Sequence, residues 1–129
     1  MNKILIEVSV GELLDKISIL EIKKDRIKDS NKLKFINEEF EVLKTELEKN
    51  IKIDEKLAKF FTALKNVNSK LWIIEDEKRK CEKDSDFGEN FIRLSRDVHF
   101  LNDKRAQIKL DINNHTGSKI KEIKEYTSY

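Results

Sequence analysis

The sequence predicts an all-α fold, an up-and-down bundle of about four long amphipathic, coiled-coil-like helices. Charged residues make up 40% of the 129-residue chain, proline is absent and glycine occurs three times, a composition typical of long helices. Apolar residues recur at spacings of three and four along most of the chain, which is the period of a helix with one buried face. Short polar segments interrupt this pattern, and short connections favour antiparallel neighbours.

Length and charge narrow the possible classes of function. A chain of 129 residues fits a single domain, 1–129, with one core. Its 27 basic and 25 acidic residues nearly cancel, so we predict no surface for nucleic acid or an anionic membrane. We expect a cytoplasmic protein for three reasons. The single cysteine cannot form a disulfide within the chain. The start of the sequence is too polar for a signal peptide, and no apolar window is long enough for a membrane span.

Residues 1–9 predict a short strand or an extended arm, because apolar residues occupy alternate positions from Ile4 onward. A lone strand would need a partner, either the C-terminal stretch 120–126 or another chain, whereas an arm would need none. Ser9 and Glu12 then match a capping box, which predicts the start of the first helix.

Polar residues that can cap helices set the other boundaries. Asp29 or Ser30 can begin the second helix and Asp54 the third, while Gly117 is a natural end for the fourth. The predicted helices span 10–28, 31–50, 54–83 and 87–115, and a C-terminal tail spans 118–129.

The first and third helices have apolar side chains on more than one side. Residues 71–74 are all apolar and cover every side of one turn, and two isoleucines of the first helix lie away from its main stripe. A small bundle has no obvious interior place for both faces, so we expect a homodimer interface or a groove for another protein. The alternative is that the N-terminal arm and the C-terminal tail cover them. The predicted interface residues are Ile19, Ile22, Trp72 and Ile73.

Three basic residues, Lys24, Lys78 and Arg105, interrupt apolar stripes. A shared anion pocket is one interpretation, but in an antiparallel hairpin Lys78 and Arg105 would lie about 18 Å apart along the helix axis. We therefore expect each stem to lie along the core edge, with its head in water or beside a neighbouring Glu.

Several acidic and histidine pairs could present ligands to a metal ion. Helices rich in Glu and Lys contain acidic pairs by chance, and pairs four residues apart equally suit salt bridges within one helix. Glycine-rich phosphate loops and local nucleophile signatures are absent from the sequence. We therefore predict no metal site, no cofactor and no catalytic residue. The pairs are Glu12 with Asp15, Glu38 with Glu41, Glu75 with Asp76, His99 with Asp103, and Asp111 with His115.

Four groups of segments stand out beyond the helical pattern: Ser9–Lys23; Leu71–Asp76 with Arg79 and Cys81–Glu82; Asp86–Gly88; and Asn102–Ala106 with Ile108–Lys109. Together they resemble a family of small bacterial helical proteins of unassigned function, sometimes found near glycosyltransferase genes. The resemblance covers most of the chain except residues 50–68. It implies a bacterial origin and a self-contained helical domain, but it supplies no catalytic residues.

The resemblance also singles out polar residues that core packing alone would not require. If the first, third and fourth helices meet, some of these residues form one polar patch beside Trp72, whose ring offers a flat apolar surface and one donor. The alternative is an ion-pair network that fixes helix register. The residues are Lys16, Glu21, Lys23, Trp72, Glu75, Asp76, Arg79, Asn102, Asp103 and Arg105.

Three functions fit the sequence. The leading hypothesis is a non-enzymatic helical interaction module that forms a homodimer, motivated by the second apolar faces. The second is a small all-α enzyme or binding protein for an anionic metabolite such as a nucleotide or sugar nucleotide, motivated by the charged residues in the matched segments. The third is an accessory subunit of a glycosyltransferase, which rests on gene neighbourhood alone.

Overall fold

The computed structural model describes residues 3–129 as four helices: α1 (Val10–Arg26), α2 (Ser30–Asn50), α3 (Glu55–Lys83) and α4 (Glu89–Thr116). The predicted all-α fold is therefore confirmed, and every helix begins and ends within two residues of its predicted bounds. Residues 3–9 contain no strand, so the described part of the predicted arm is not paired as a sheet. Met1 and Asn2, which the arm also includes, lie outside the described residues.

Capping side chains determine where the helices begin. Ser9 Oγ accepts a hydrogen bond of 3.0 Å from the Glu12 amide, and Asp29 accepts from two amides in the first turn of α2. Asp54 caps α3 in the same way. At the other end of the chain, Gly117 terminates α4 with a φ of 68°, a conformation that costs glycine less than any other residue.

The central element of the fold is α1. Its backbone approaches those of α2, α3 and α4, and α3 packs against α4, whereas α2 approaches only α1 among the described helices. Leu14, Leu64 and Ile112 come from α1, α3 and α4 and are fully buried together. A helix surrounded in this way must bury more than one face, which explains why α1 is apolar on more than one side. In the described part of the chain, none of the helices is long and apolar enough to cross a membrane.

The fourth helix runs antiparallel to both α1 and α3. Gly11, in the first turn of α1, donates its amide to Asn113 near the end of α4 at 2.7 Å. Lys78, near the end of α3, lies over the ring of Phe91 near the start of α4. A side-chain carbon at Gly11 would lie 2.6 Å from the Lys109 carbonyl oxygen, so α1 and α4 approach closely only because residue 11 is glycine. This close approach places the polar side chains of the next turn of α1 against those of α4.

Candidate functional site

A buried carboxylate joins three helices. Asp15 of α1 is 1% exposed and accepts from Arg105 of α4, through Nε at 3.0 Å and Nη2 at 2.5 Å. Asn68 of α3 donates to the same carboxylate at 2.8 Å and to the Ser18 hydroxyl at 2.8 Å. A buried charge is tolerated when it is paired and its remaining lone pairs are satisfied, and both conditions are met here. The hydrogen bonds to Asp15 raise the pKa of Arg105 above its ordinary value.

A second buried cation lies one turn further along α4. The side chain of Lys109 is 9% exposed, and its Nζ lies 2.7 Å from Glu12 and 2.8 Å from Glu122, with Asp15 at 3.8 Å. Burial lowers the pKa of Lys109, but the hydrogen bonds to the two glutamates outweigh burial and leave its pKa above the ordinary value. The same contact with Lys109 lowers the pKa of Glu122. We call these five side chains the buried ion cluster, because they surround the two buried groups Asp15 and Lys109, while the other three are partly exposed. The five are Glu12, Asp15, Arg105, Lys109 and Glu122.

A pocket of about 450 Å³ lies beside this cluster, between α1, α3 and α4. Seven of the residues singled out from the sequence line it, together with Asn68 and Leu71. Part of the predicted polar patch and part of the predicted apolar interface therefore meet in one place, which we call the Trp72 pocket. The seven residues are Ile19, Ile22, Trp72, Glu75, Asp76, Arg79 and Arg105.

The charged groups of the Trp72 pocket are already paired within the chain. Arg79 lies 3.0 Å from Glu75, Lys80 lies 3.4 Å from Asp76, and Arg105 is bound to the buried Asp15. The lining thus contains two carboxylates and two guanidinium groups, whose formal charges cancel. A pocket of this kind offers an apolar floor with a polar, electrically balanced rim.

The remaining residues of the predicted patch lie outside the Trp72 pocket. Glu21 pairs with Lys65 of α3 at 3.0 Å, and the exposed Lys16 lies 4.0 Å from Glu12. Lys23 is half-buried in the last turn of α1. The patch is therefore split, with one part in the pocket and another in pairs between and along helices.

Two residues of the predicted polar patch, both in α4, lie beside the C-terminal tail. Asn102 accepts from Arg105 at 3.5 Å, and Asp103 accepts from the Tyr129 hydroxyl. Both line an opening of about 640 Å³ against the tail, so they lie on the tail side of Arg105 and outside the Trp72 lining.

The predicted interface residues differ in their surroundings. Ile22 is 3% exposed, since α1 is central and the chain itself covers this side chain. Ile19 and Trp72 are half-buried in the pocket lining. Ile73 is 43% exposed and lies on the outer side of the same turn of α3.

For the three basic residues that interrupt apolar stripes, the sequence predicts heads in water or beside a neighbouring Glu. Lys24 is exposed, and Lys78 and Arg105 are half-buried. Lys24 Nζ lies 4.0 Å from the centre of the Phe40 ring, and Lys78 Nζ lies 5.7 Å from that of Phe91. Arg105 binds a buried aspartate. Aromatic faces attract cations, so a ring can lie beside a lysine ammonium group in place of a carboxylate. The charges along the sequence do not reveal such a contact.

The histidine pairs are separated by contacts to other partners. His115 Nε2 lies 2.8 Å from Asp54 at the start of α3, and Asp111 accepts from Gln107 at 2.9 Å. The His99 ring packs against Tyr129. Within residues 3–129, no three His, Cys, Asp or Glu side chains come together in a way that could hold a metal ion.

Sequence reasoning missed the core of the buried ion cluster. Asp15 is named from the sequence in an acidic pair and within the matched segment Ser9–Lys23, and Lys109 only within a matched segment. Asn68, which donates to Asp15, is not singled out. A usable signal was present, because Asn68 lies four residues after Leu64 and three before Leu71 and so continues the buried stripe of α3. A polar residue in such a position must find a polar partner on another helix.

A family model described as a family of unknown function, DUF6165, matches residues 4–129. The chain belongs to this family. The match covers almost the whole chain and includes all four helices and both sites described above. Because the family's function is unknown, membership assigns no activity to the Trp72 pocket. No curated protein and no solved structure matches the chain.

Proposed function

We propose that the protein is a non-enzymatic helical interaction module that forms a homodimer through the Trp72 pocket. The observation that carries this proposal is that five of the ten residues of the predicted polar patch and three of the four predicted interface residues, with Trp72 in both sets, line one pocket. Buried Trp and Arg side chains surrounded by a polar rim are typical of the energetically dominant centre of protein interfaces.

Charge complementarity favours a second copy of the chain as the partner. Along α3 the rim is acidic at Glu75 and Asp76 and basic one turn later at Arg79 and Lys80. When two copies meet about a two-fold axis, the same surface of each copy forms the interface. If an acidic residue of one copy contacts a basic residue of the other, the reverse contact forms as well. The acidic turn of one α3 can then lie against the basic turn of the other, which exchanges the pairs within each chain for pairs between chains.

An apolar anchor for this interface is present in the same turn. Ile73 follows Trp72 directly and is 43% exposed, next to a pocket whose floor includes Ile19 and Leu71. In the proposed dimer, Ile73 of each copy enters the pocket of its partner. Burying an isoleucine side chain contributes roughly 1.5–3 kcal/mol, so two such anchors give a large share of the affinity.

Sedimentation equilibrium at micromolar concentration tests the dimer directly. We expect a dimer for the natural chain and a monomer for Ile73→Ser, while Val42→Ser, which changes an exposed apolar residue of α2, remains dimeric. Arg79→Glu should weaken the dimer, and adding Glu75→Arg in the same chain should restore it. A monomeric natural chain at tens of micromolar would contradict the proposal.

A small-molecule ligand is the second candidate, because the pocket volume of about 450 Å³ falls within the range of small-molecule sites. An anionic metabolite such as a nucleotide or sugar nucleotide would use Arg79, whose side chain is largely exposed. The cancelled charge of the lining counts against this candidate. Thermal-shift measurements with nucleotides, sugar nucleotides and divalent metals test it, and an unchanged melting temperature with all of them would exclude it.

A further inference from the structure

The buried ammonium of Lys109 depends on the C-terminal tail for one of its two close carboxylates. Glu12, at 2.7 Å, is fixed within α1, whereas Glu122, at 2.8 Å, belongs to the segment after α4. In that segment, residues 119–129 are all exposed and contain no helix. A charge that is almost fully buried is therefore satisfied partly by a segment that buries little apolar surface.

Apart from the backbone hydrogen bond from the Ser118 amide to Asn113, which closes the end of α4, the other polar contacts of the tail are weaker anchors. Ser118 Oγ accepts from the Val10 amide at 3.4 Å. Lys121 donates to Asn114 at the surface, and the Tyr129 hydroxyl donates to the exposed Asp103. Exposed polar and ionic contacts contribute little to stability because water competes for both partners. The contact between Glu122 and Lys109 is thus the main polar attachment of the tail.

Glu122 borders a small cavity between α1, α4 and the tail. The cavity has a volume of about 140 Å³. Besides Glu122, its polar lining consists of Glu12, Asn102, Arg105, Lys109 and Lys124. This volume is well below that of sites for drug-sized ligands. It suits a carboxylate group that carries only a few further atoms.

The charges around Lys109 indicate which anion could replace Glu122. Asp15 and Glu12 balance Arg105 and Lys109, and Asp15 is already engaged by Arg105. Lys109 retains a donor that the chain satisfies with the single carboxylate of Glu122. A monocarboxylate would replace the single negative charge of Glu122 without changing the net charge around Lys109, whereas a phosphate with two charges would add one, so a group with one negative charge matches the site better.

We propose that Lys109 is a carboxylate-binding site that Glu122 occupies in the free chain, and that a small monocarboxylate replaces Glu122 on Lys109, with its remaining atoms in the adjoining cavity. The tail is then released from its main polar attachment. The site shares Arg105 with the lining of the Trp72 pocket, but Lys109 and Glu122 lie outside that lining, and neither proposal depends on the other.

Competition by the tail determines how the site should behave. A ligand group connected by a short flexible segment acts at an effective concentration in the millimolar range. An added carboxylate must compete with Glu122 at that concentration in the natural chain. Removing the Glu122 carboxylate should therefore lower the concentration of added carboxylate needed for half-saturation by about 10-fold or more.

The experiment follows the side-chain ¹⁵N resonance of Lys109 in the full chain. Sodium acetate is the probe, and sodium chloride replaces it at constant ionic strength in the reference titration. Glu122→Ala removes the internal carboxylate, and Glu122→Gln removes its charge while keeping its size. Glu125→Ala is the matched control, since Glu125 lies in the same tail and is exposed. Circular dichroism verifies that each variant is helical.

We expect Glu122→Ala to show a saturable acetate-dependent shift of Lys109 at about a tenth of the concentration that the natural chain and Glu125→Ala require. Glu122→Gln should lie between them, because its amide oxygen can still accept from Lys109. If both Glu122 variants respond to acetate no more than to chloride, the proposal is overturned. A response of equal midpoint in all four proteins would also overturn it, because Glu122 would then not be the occupant.

Discussion

Asp15 and Arg105 form a two-pronged ion pair between α1 and α4, with contacts of 3.0 and 2.5 Å. The two side chains are not equally buried, since Asp15 is 1% exposed and Arg105 is 29% exposed. The guanidinium group therefore connects a fully buried carboxylate to the wall of the Trp72 pocket. Because Asn68 of α3 donates to the same carboxylate, one side chain fixes the positions of three helices beside the pocket.

Replacing Asp15 by Asn should destabilise the protein strongly. The amide cannot balance the charge of Arg105, and breaking a buried ion pair by removing one partner costs about 3–5 kcal/mol. The partial exposure of Arg105 lets water compensate in part, so we expect about 2–3 kcal/mol. Urea denaturation measures this loss, with Asp25→Asn on the exposed side of the same helix as control. A loss below about 0.5 kcal/mol for Asp15→Asn, within the range of ordinary surface substitutions, would contradict this role.

The helices could be predicted from the sequence because their signals are local. The stripe of apolar residues and the caps at Ser9, Asp29 and Asp54 act within a few residues, so the chain order contains them directly. The central position of α1 could not be predicted in this way. Its second apolar face had two explanations, an interface between copies or a place inside the bundle, and only the packing of the helices distinguishes the two for Ile22.

The candidate site was predictable in part for a related reason. Trp72, Glu75 and Arg79 lie on one face of one helix, so their proximity follows from helix geometry. The pairing of Asp15 with Arg105 spans ninety positions and depends on how α1 and α4 are aligned. That alignment is set by the close approach at Gly11, which a sequence read one helix at a time does not reveal.

Replacing Gly11 by Ala should separate α1 from α4. The added carbon would lie 2.6 Å from a backbone oxygen of Lys109 and 3.0 Å from Asn113 Oδ1, and backbone cannot rotate away as a side chain can. Overpacking of this kind costs about 1–3 kcal/mol. Urea denaturation of Gly11→Ala measures the loss, and the ¹⁵N resonance of Lys109 should shift as its contact with Glu12 changes.

Gly88→Ala is the control for that substitution. At Gly88 the added carbon meets only Asp86 Oδ1, at 3.5 Å, so the loss should be limited to the small preference for glycine over alanine at a helix start, no more than about 1 kcal/mol. Equal losses for the two variants would show that close approach of the helices is not what requires Gly11.

Replacing Asn68 by Ala should lower stability and also alter the Trp72 pocket. Its amide donates to Asp15 and to Ser18 at 2.8 Å each, and leaving buried acceptors unsatisfied costs roughly 1–3 kcal/mol. Asn66→Ala, an exposed position in the same helix, should change stability by less than about 0.5 kcal/mol. Because Asn68 lines the pocket, Trp72 fluorescence of the folded Asn68→Ala variant should shift, whereas that of Asn66→Ala should not.

Acid should weaken the junction between α3 and α4 through Asp54. The Leu57 amide, followed by His115, holds the pKa of Asp54 below its ordinary value of 3.8. A carboxylate with a lowered pKa in the folded state contributes stability that is fully present above its pKa in the unfolded state. This stability is lost as pH falls through its pKa in the folded state.

The variant Asp54→Asn tests this contribution, because it keeps a side chain that can cap α3 but removes the charge. The difference in free energy of unfolding between the natural chain and Asp54→Asn should therefore shrink as pH falls below 3.8. His115→Gln should reduce the pH-dependent part without abolishing it, because the Leu57 amide remains. A difference that stays the same down to about pH 2.5 would show that the charge of Asp54 does not stabilise the junction.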